Sequence, residues 1–152
     1  MKRPKVVFET PVYKVVLVHE SSVAVEQPYI RSPEDAAKLV IDYLRGVDCE
    51  HFVGLYLNSA NRLIGMRTIS MGILNSSLVH PREVYKLAYM MHAASLIVSH
   101  NHPSGNTEPS SEDIAITKQL AEAGKILGIP LHDHIIITEH NGYTSFAERG
   151  LL

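Results

Sequence analysis

A single α/β domain is the fold class this sequence predicts, and three observations carry that expectation. The chain has 152 residues, a length that suits one globular unit rather than two. Short Val-, Ile- and Leu-rich runs of strand length alternate with longer segments that open on helix-capping residues. Hydrophobic residues make up 45% and charged residues 20%, which supplies a sizeable core and excludes disordered, collagen-like and coiled-coil chains.

The elements follow in order. Residues 1–30 form a strand-like extension: VVF, VYKVVLV and VAV are separated by Pro11, by the polar HESS stretch and by Pro28, as edge strands or an arm would be. Ser32 precedes Pro33, Glu34 and Asp35, a helix start whose helix should run to about Arg45 and stop at Gly46. HFVGLYLNSANRLIGMRTISMGIL reads as a hairpin around a turn at Asn58–Asn61. His80-Pro81-Arg82-Glu83 opens a second helix, with Val84, Leu87, Ala88, Met91 and Ala94 at helical spacing. Ser95–Ser99 is a short buried strand, NHPSGNTEPS a loop, and Ser110 the start of a helix that reaches about Leu127. LHDHIIITEH is a strand, followed by an Asn141-Gly142 turn and the closing segment YTSFAERGLL.

Charge and cysteine content narrow the functional classes. Fourteen Lys+Arg against 16 Asp+Glu give a formal charge of -2, so no global field draws the protein to nucleic acid or to an anionic membrane. Cys49 is the single cysteine, which rules out an intrachain disulfide and makes a reducing, cytoplasmic setting the expectation. Glu9, Pro11 and Lys14 interrupt the apolar start that a signal peptide would need, and no window approaches the roughly 18 apolar residues of a membrane span.

The chemistry concentrates in one segment. His100 and His102 end an apolar strand, and side chains at i and i+2 of a strand share a face, so two imidazoles can address one ion. Asp113 follows in the first turn of the next helix, where a loop can return its carboxylate over the strand end. Three such ligands around zinc leave a fourth position for water, which the metal acidifies to a pKa of about 7. The plainer alternative is a pair of ordinary loop histidines and an aspartate that complements a helix N-terminus.

The composite His100-x-His102-x7-Ser110-x2-Asp113, set on a strand, a Pro/Gly loop and a helix start, resembles the metal-binding motif of the JAMM (MPN+) metallopeptidases at every fixed position. SHNHPSGNTEPSSEDIAITKQLAEAGKILGIPLHDHIII and LNSSLVHPREVYKLA look like the bacterial RadC branch of that family, and the resemblance covers residues 31–152. It implies a three-layer domain over those residues, a mixed β-sheet flanked by helices and similar to the cytidine deaminases. It also implies zinc held by His100, His102 and Asp113. Ser110 matches the family serine that hydrogen-bonds the water or the developing oxyanion, and a helix N-cap is its structural alternative. Glu50, ahead of an early apolar strand, matches the family's general base, which passes a proton from water to the leaving amine. A structural role for Glu50, as an exposed acid at a strand start, is the alternative.

Several further residues have expected roles. Asp133 or His134, on the strand after the third helix, could orient a liganding histidine through its second ring nitrogen. His132 and His134 share a strand face, yet structural histidines are the better reading there. His19, His51, His80, His92 and His140 are read as structural or surface residues, and Cys49 as a small semi-buried one. Pro103, Ser104 and Gly105 shape the loop, with Gly105 free to take a positive φ.

The resemblance implies a zinc hydrolase acting on a peptide or isopeptide bond, with a peptide or protein as substrate and further copies of the chain as an optional partner. The alternative is a non-catalytic, zinc-stabilised binding module that docks onto DNA-repair or mobile-element proteins. RadC relatives commonly carry an N-terminal helix-hairpin-helix module that residues 1–30 are too few to replace, so the association with DNA repair transfers poorly. A zinc deaminase would use a histidine and two cysteines, which a single cysteine excludes.

Overall fold

The helix starts take the form their sequences predict. The computed structural model describes residues 8–72, 79–140 and 142–152. In it Ser32 caps helix α1 (Pro33–Tyr43): its hydroxyl accepts the Asp35 N–H, and the Asp35 carboxylate accepts the Ser32 N–H. Reciprocal capping of this kind is worth about 1 kcal/mol. Helix α2 (Pro81–Met90) is capped by the His80 ring, whose Nδ1 accepts from Arg82 N–H. Helix α3 (Ser111–Leu127) is capped by Ser110 and ends on Gly128 in the left-handed region.

Five strands complete the fold: β1 (His51–Leu57), β2 (Leu63–Met71), β3 (Ser95–Asn101), β4 (Leu131–Ile137) and β5 (Tyr143–Ser145). They form one mixed sheet in the order β2-β1-β3-β4-β5. β1 and β2 are the expected antiparallel hairpin, β3 runs antiparallel to β1, and β3 and β4 are parallel partners joined through α3. Strand β3 is buried along its whole length, which explains its uninterrupted apolar start, because a central strand is covered on both faces.

Strand alternation divides the core in two. Phe52, Tyr56, Leu96 and Val98 pack with Val84 and Tyr85 of α2 and Ile116 and Leu120 of α3. Val53, Leu55, Ile97 and Ile135 pack on the other face with Ala36, Ala37 and Val40 of α1. The result is the three-layer α+β domain that the sequence resemblance implies. The same alternation sets the site: even-numbered residues of β1 and β3 face α2 and α3, and odd-numbered ones face α1.

The N-terminal extension is different from the expectation. Residues 8–28 form no strand, and only Tyr29 makes an isolated bridge, to Arg62. Leu63 N–H donates to the Pro28 carbonyl, but Pro28 has no N–H to return the bond, so an antiparallel ladder along β2 stops there. Val12 and Val18 are 96% and 83% exposed, and β-propensity without a paired strand does not make a strand. The first part of the extension (1–7), the last two residues of the expected hairpin (73–74) and Asn141 lie outside the described residues. Gly142 has φ +82° and its carbonyl accepts from Thr138 N–H, as a turn there requires.

Two buried tyrosines stitch the helical layer together. The Tyr56 hydroxyl donates to the Val84 carbonyl and the Tyr85 hydroxyl to that of Leu120, both at 2.9 Å. Burial pushes the Tyr85 phenol up to about 12, above the value of about 10 it has when unfolded. Its contribution to stability is therefore full below pH about 10 and is lost as pH rises towards 12. Tyr85→Phe should cost about 1 kcal/mol at neutral pH and lose less stability than the parent protein on raising the pH. Urea unfolding across that range measures both effects, and an equally steep alkaline loss in the variant would contradict the assignment.

Candidate metal centre

His100 and His102 close strand β3 on the face that looks towards α3, and Asp113, at the third position of that helix, meets them. The ligand atoms of the three residues lie within 4.8 Å of one another. His100 Nε2 is 2.9 Å from His102 Nε2 and 3.2 Å from Asp113 Oδ1, and His102 Nε2 is 3.5 Å from Asp113 Oδ2. His100 and Asp113 are buried, and His102 is reached from one side.

Hydrogen bonding decides which nitrogen of each ring carries the proton. The Thr117 hydroxyl donates to the Asp113 backbone carbonyl at 2.6 Å, so its oxygen accepts the Nδ1–H of His134, also at 2.6 Å. His134 Nε2 is then the acceptor, and His100 Nδ1–H donates to it at 2.8 Å. His102 Nδ1–H donates to the Asn106 carbonyl at 2.6 Å. Both outer protons are thereby committed, and the Nε2 lone pairs of His100 and His102 point at each other and at a carboxylate. Three electron-pair donors meeting inside a protein call for a cation between them. The cluster could hold a metal ion.

The surroundings reinforce that polarity. Phe52 stacks on His100 and Phe146 on His134, an apolar packing that keeps water from the relay. Burial holds the His134 ring well below its ordinary range, and the neighbouring His100 adds to the effect, so the relay imidazole stays neutral. For Asp113 burial acts to raise the carboxyl, but the two histidines and the Ser110 N–H outweigh it and hold the group far below the usual carboxylate range. His102 is raised, first by its hydrogen bond with Asp113 and, against burial, by the Asn106 carbonyl and the charges of Asp113 and Glu50.

The other residues singled out in the sequence take distinct places. Glu50 precedes β1, with its carbonyl accepting from Gly72 N–H. Its charge acts on His102. Ser110 caps α3: its hydroxyl accepts the Asp113 N–H at 3.1 Å, and its own N–H donates to Asp113 Oδ2 at 2.7 Å. Gly105 takes φ +80° in the loop after His102. His134, not Asp133, is the residue that touches His100. The Asp133 carboxylate turns the other way, accepting from Ser145 Oγ, Ala147 N and His134 N, and so fixes the chain after β5. Among the described residues no second metal-binding group forms, and His132 is exposed. Thr117 was missed from the sequence, although it lies four residues after Asp113 and therefore one helical turn above it.

Comparisons with known proteins point to one family. The family model described as RadC-like JAB domain matches residues 30–151. A UPF0758 protein of Desulforamulus reducens is 54% identical over 123 residues, which is 81% of this chain and 54% of the relative. A UPF0758 protein of Shouchella clausii is 54% identical over 124 residues, 82% of this chain and 54% of the relative. One of Bacillus velezensis is 50% identical over 135 residues, 89% of this chain and 58% of the relative. The chain thus spans about half the length of the curated relatives it matches. No helix among the described residues is long and apolar enough to cross a membrane.

Two outcomes test the relay and the ligand set. Thr117→Val removes the acceptor that orients His134, and metal affinity should fall about 10- to 100-fold, as removal of such supporting partners does elsewhere. Equilibrium dialysis measures it, and parental affinity in the variant would mean that the relay does not tune His100. Protons compete with metal for His102, whose raised value lets that competition begin above the ordinary histidine pKa of about 6.5. Affinity should therefore weaken as pH falls through the neutral range, and a pH-independent affinity would count against histidine ligation.

Proposed function

We propose, on the premise that this chain belongs to the RadC-like JAB domain family, that it is a zinc-dependent hydrolase cleaving a peptide or isopeptide bond. One observation carries the reading: the Nε2 atoms of His100 and His102 and the Asp113 carboxylate converge, while the second nitrogen of each ring is engaged elsewhere. Zinc with bonds of about 2.0–2.1 Å in tetrahedral geometry spaces its ligand atoms about 3.3 Å apart. The separations of 2.9, 3.2 and 3.5 Å here bracket that spacing. Structural zinc sites close on four protein ligands, whereas a set of three leaves room for chemistry.

Zinc bound there supplies Lewis acidity, lowering the pKa of water to about 7 and polarising a carbonyl. The Glu50 carboxylate, whose charge acts on His102, takes a proton from the attacking water and delivers it to the departing amine nitrogen. Ser110 Oγ, already an acceptor for Asp113 N–H, has its own proton to donate to the oxyanion that develops on the carbonyl. Asp113 and His134 keep their work static: one carboxylate stays ionised and one imidazole stays neutral. A cleft of about 530 Å³ opens beside His102, with Leu44, Val47 and Ile137 as well as Arg45, Asp48 and Glu139 in its wall, and a concave surface with apolar and polar groups suits a peptide.

Zinc-loaded protein incubated with a panel of peptides and isopeptide-linked conjugates tests the proposal. Glu50→Gln should lower hydrolysis by about 10²- to 10⁴-fold with zinc retained, and His102→Ala should lose both zinc and activity. Full activity in Glu50→Gln would remove Glu50 from the chemistry. Bound zinc with no cleavage across the panel would favour the binding module instead.

A further inference from the structure

Asn101 stands between the two ligand histidines and, by strand alternation, faces away from them towards the α1 layer. Its side chain is buried and grips the chain on both sides of Glu50. Oδ1 accepts the His51 N–H at 2.7 Å, and Nδ2 donates to the Cys49 carbonyl at 2.9 Å. The orientation of the amide is forced, because a backbone N–H can only donate and a carbonyl can only accept. The regular β1–β3 ladder ends at Phe52 opposite His100. Beyond that pair one carboxamide takes over, and a carboxamide is suited to it because it offers a donor and an acceptor side by side.

We infer that Asn101 is a positioning residue for Glu50: it ties the backbone flanking the glutamate to the strand that carries both histidine ligands, and so sets where the carboxylate stands relative to the metal centre. This rests on the reading of Glu50 as proton acceptor. A purely structural asparagine would fasten the end of β1 to β3 without affecting the Glu50 carboxylate, and the two roles can be separated by measurement.

The test uses the full chain loaded with cobalt(II) in place of zinc, with glutamate labelled by ¹³C at the side-chain carboxyl. The Glu50 resonance is identified by its disappearance in Glu50→Gln. Paramagnetic displacement relative to the zinc form falls steeply with distance, so it reports where the carboxyl sits. In the parent protein the Glu50 carboxyl should be strongly displaced. In Asn101→Ala it should lose most of that displacement while the ring-proton signals of His100 and His102 stay in place. Asn101→Asp keeps the acceptor for His51 N–H and loses the donor to Cys49, and it should fall between. Should Asn101→Ala fail to fold or to hold cobalt, Asn101→Asp decides by the same criterion. An unchanged Glu50 displacement in the folded variants overturns the inference. An undisplaced Glu50 in the parent protein instead overturns the catalytic reading of Glu50, which is a separate failure.

Discussion

A directed chain of hydrogen bonds underlies the site. The Thr117 hydroxyl donates to the Asp113 carbonyl, His134 donates to Thr117 and His100 donates to His134, which leaves the His100 Nε2 lone pair facing the carboxylate of Asp113. It joins α3, β4 and β3, the helix and parallel strands at the centre of the fold. Each link has one direction only, because a helix carbonyl cannot donate, and that constraint passes along the chain to fix the tautomer of His100. The lone pair that His100 turns towards His102 and Asp113 is therefore a consequence of how a helix packs on a sheet.

Burial makes this arrangement consequential. His100, His134, Asp113 and Thr117 are all inaccessible to solvent, so water cannot satisfy whatever these hydrogen bonds leave open. Taking a carboxylate out of water is unfavourable unless charge or hydrogen bonds replace the lost hydration. The Ser110 N–H at the start of α3 supplies part of that replacement. A divalent cation would supply the rest. The same low-polarity surroundings strengthen every electrostatic interaction within the site, which is what a hydrolytic centre requires.

The cluster of His100, His102 and Asp113 was legible in the sequence because its spacing is short and lies on one strand, one loop and one helix start. Strand periodicity put His100 and His102 on one face, and the Ser110/Asp113 pair announced the helix. The choice between Asp133 and His134 was not legible, because it depends on which face of β4 looks towards α3, and that follows from the parallel pairing with β3. Asn101 escaped for a related reason: it acts from the far face of the strand on a segment about 50 positions away. Of the two readings of the Val-rich extension, edge strands or an arm, residues 8–28 form no strand, because composition reports what a residue prefers, while a ladder needs a partner, and Pro28 stops the partnership at the edge of β2.

Cys49 lies next to Glu50, and a thiolate there would be the obvious competitor for zinc, since sulfur is a stronger zinc ligand than carboxylate oxygen. X-ray absorption at the zinc edge of the reconstituted protein addresses the central claim most directly. The expected shell contains nitrogen and oxygen only, at about 2.0–2.1 Å, with outer scattering from two imidazoles. A sulfur at about 2.3 Å, or a shell without imidazole, would contradict the centre formed by His100, His102 and Asp113.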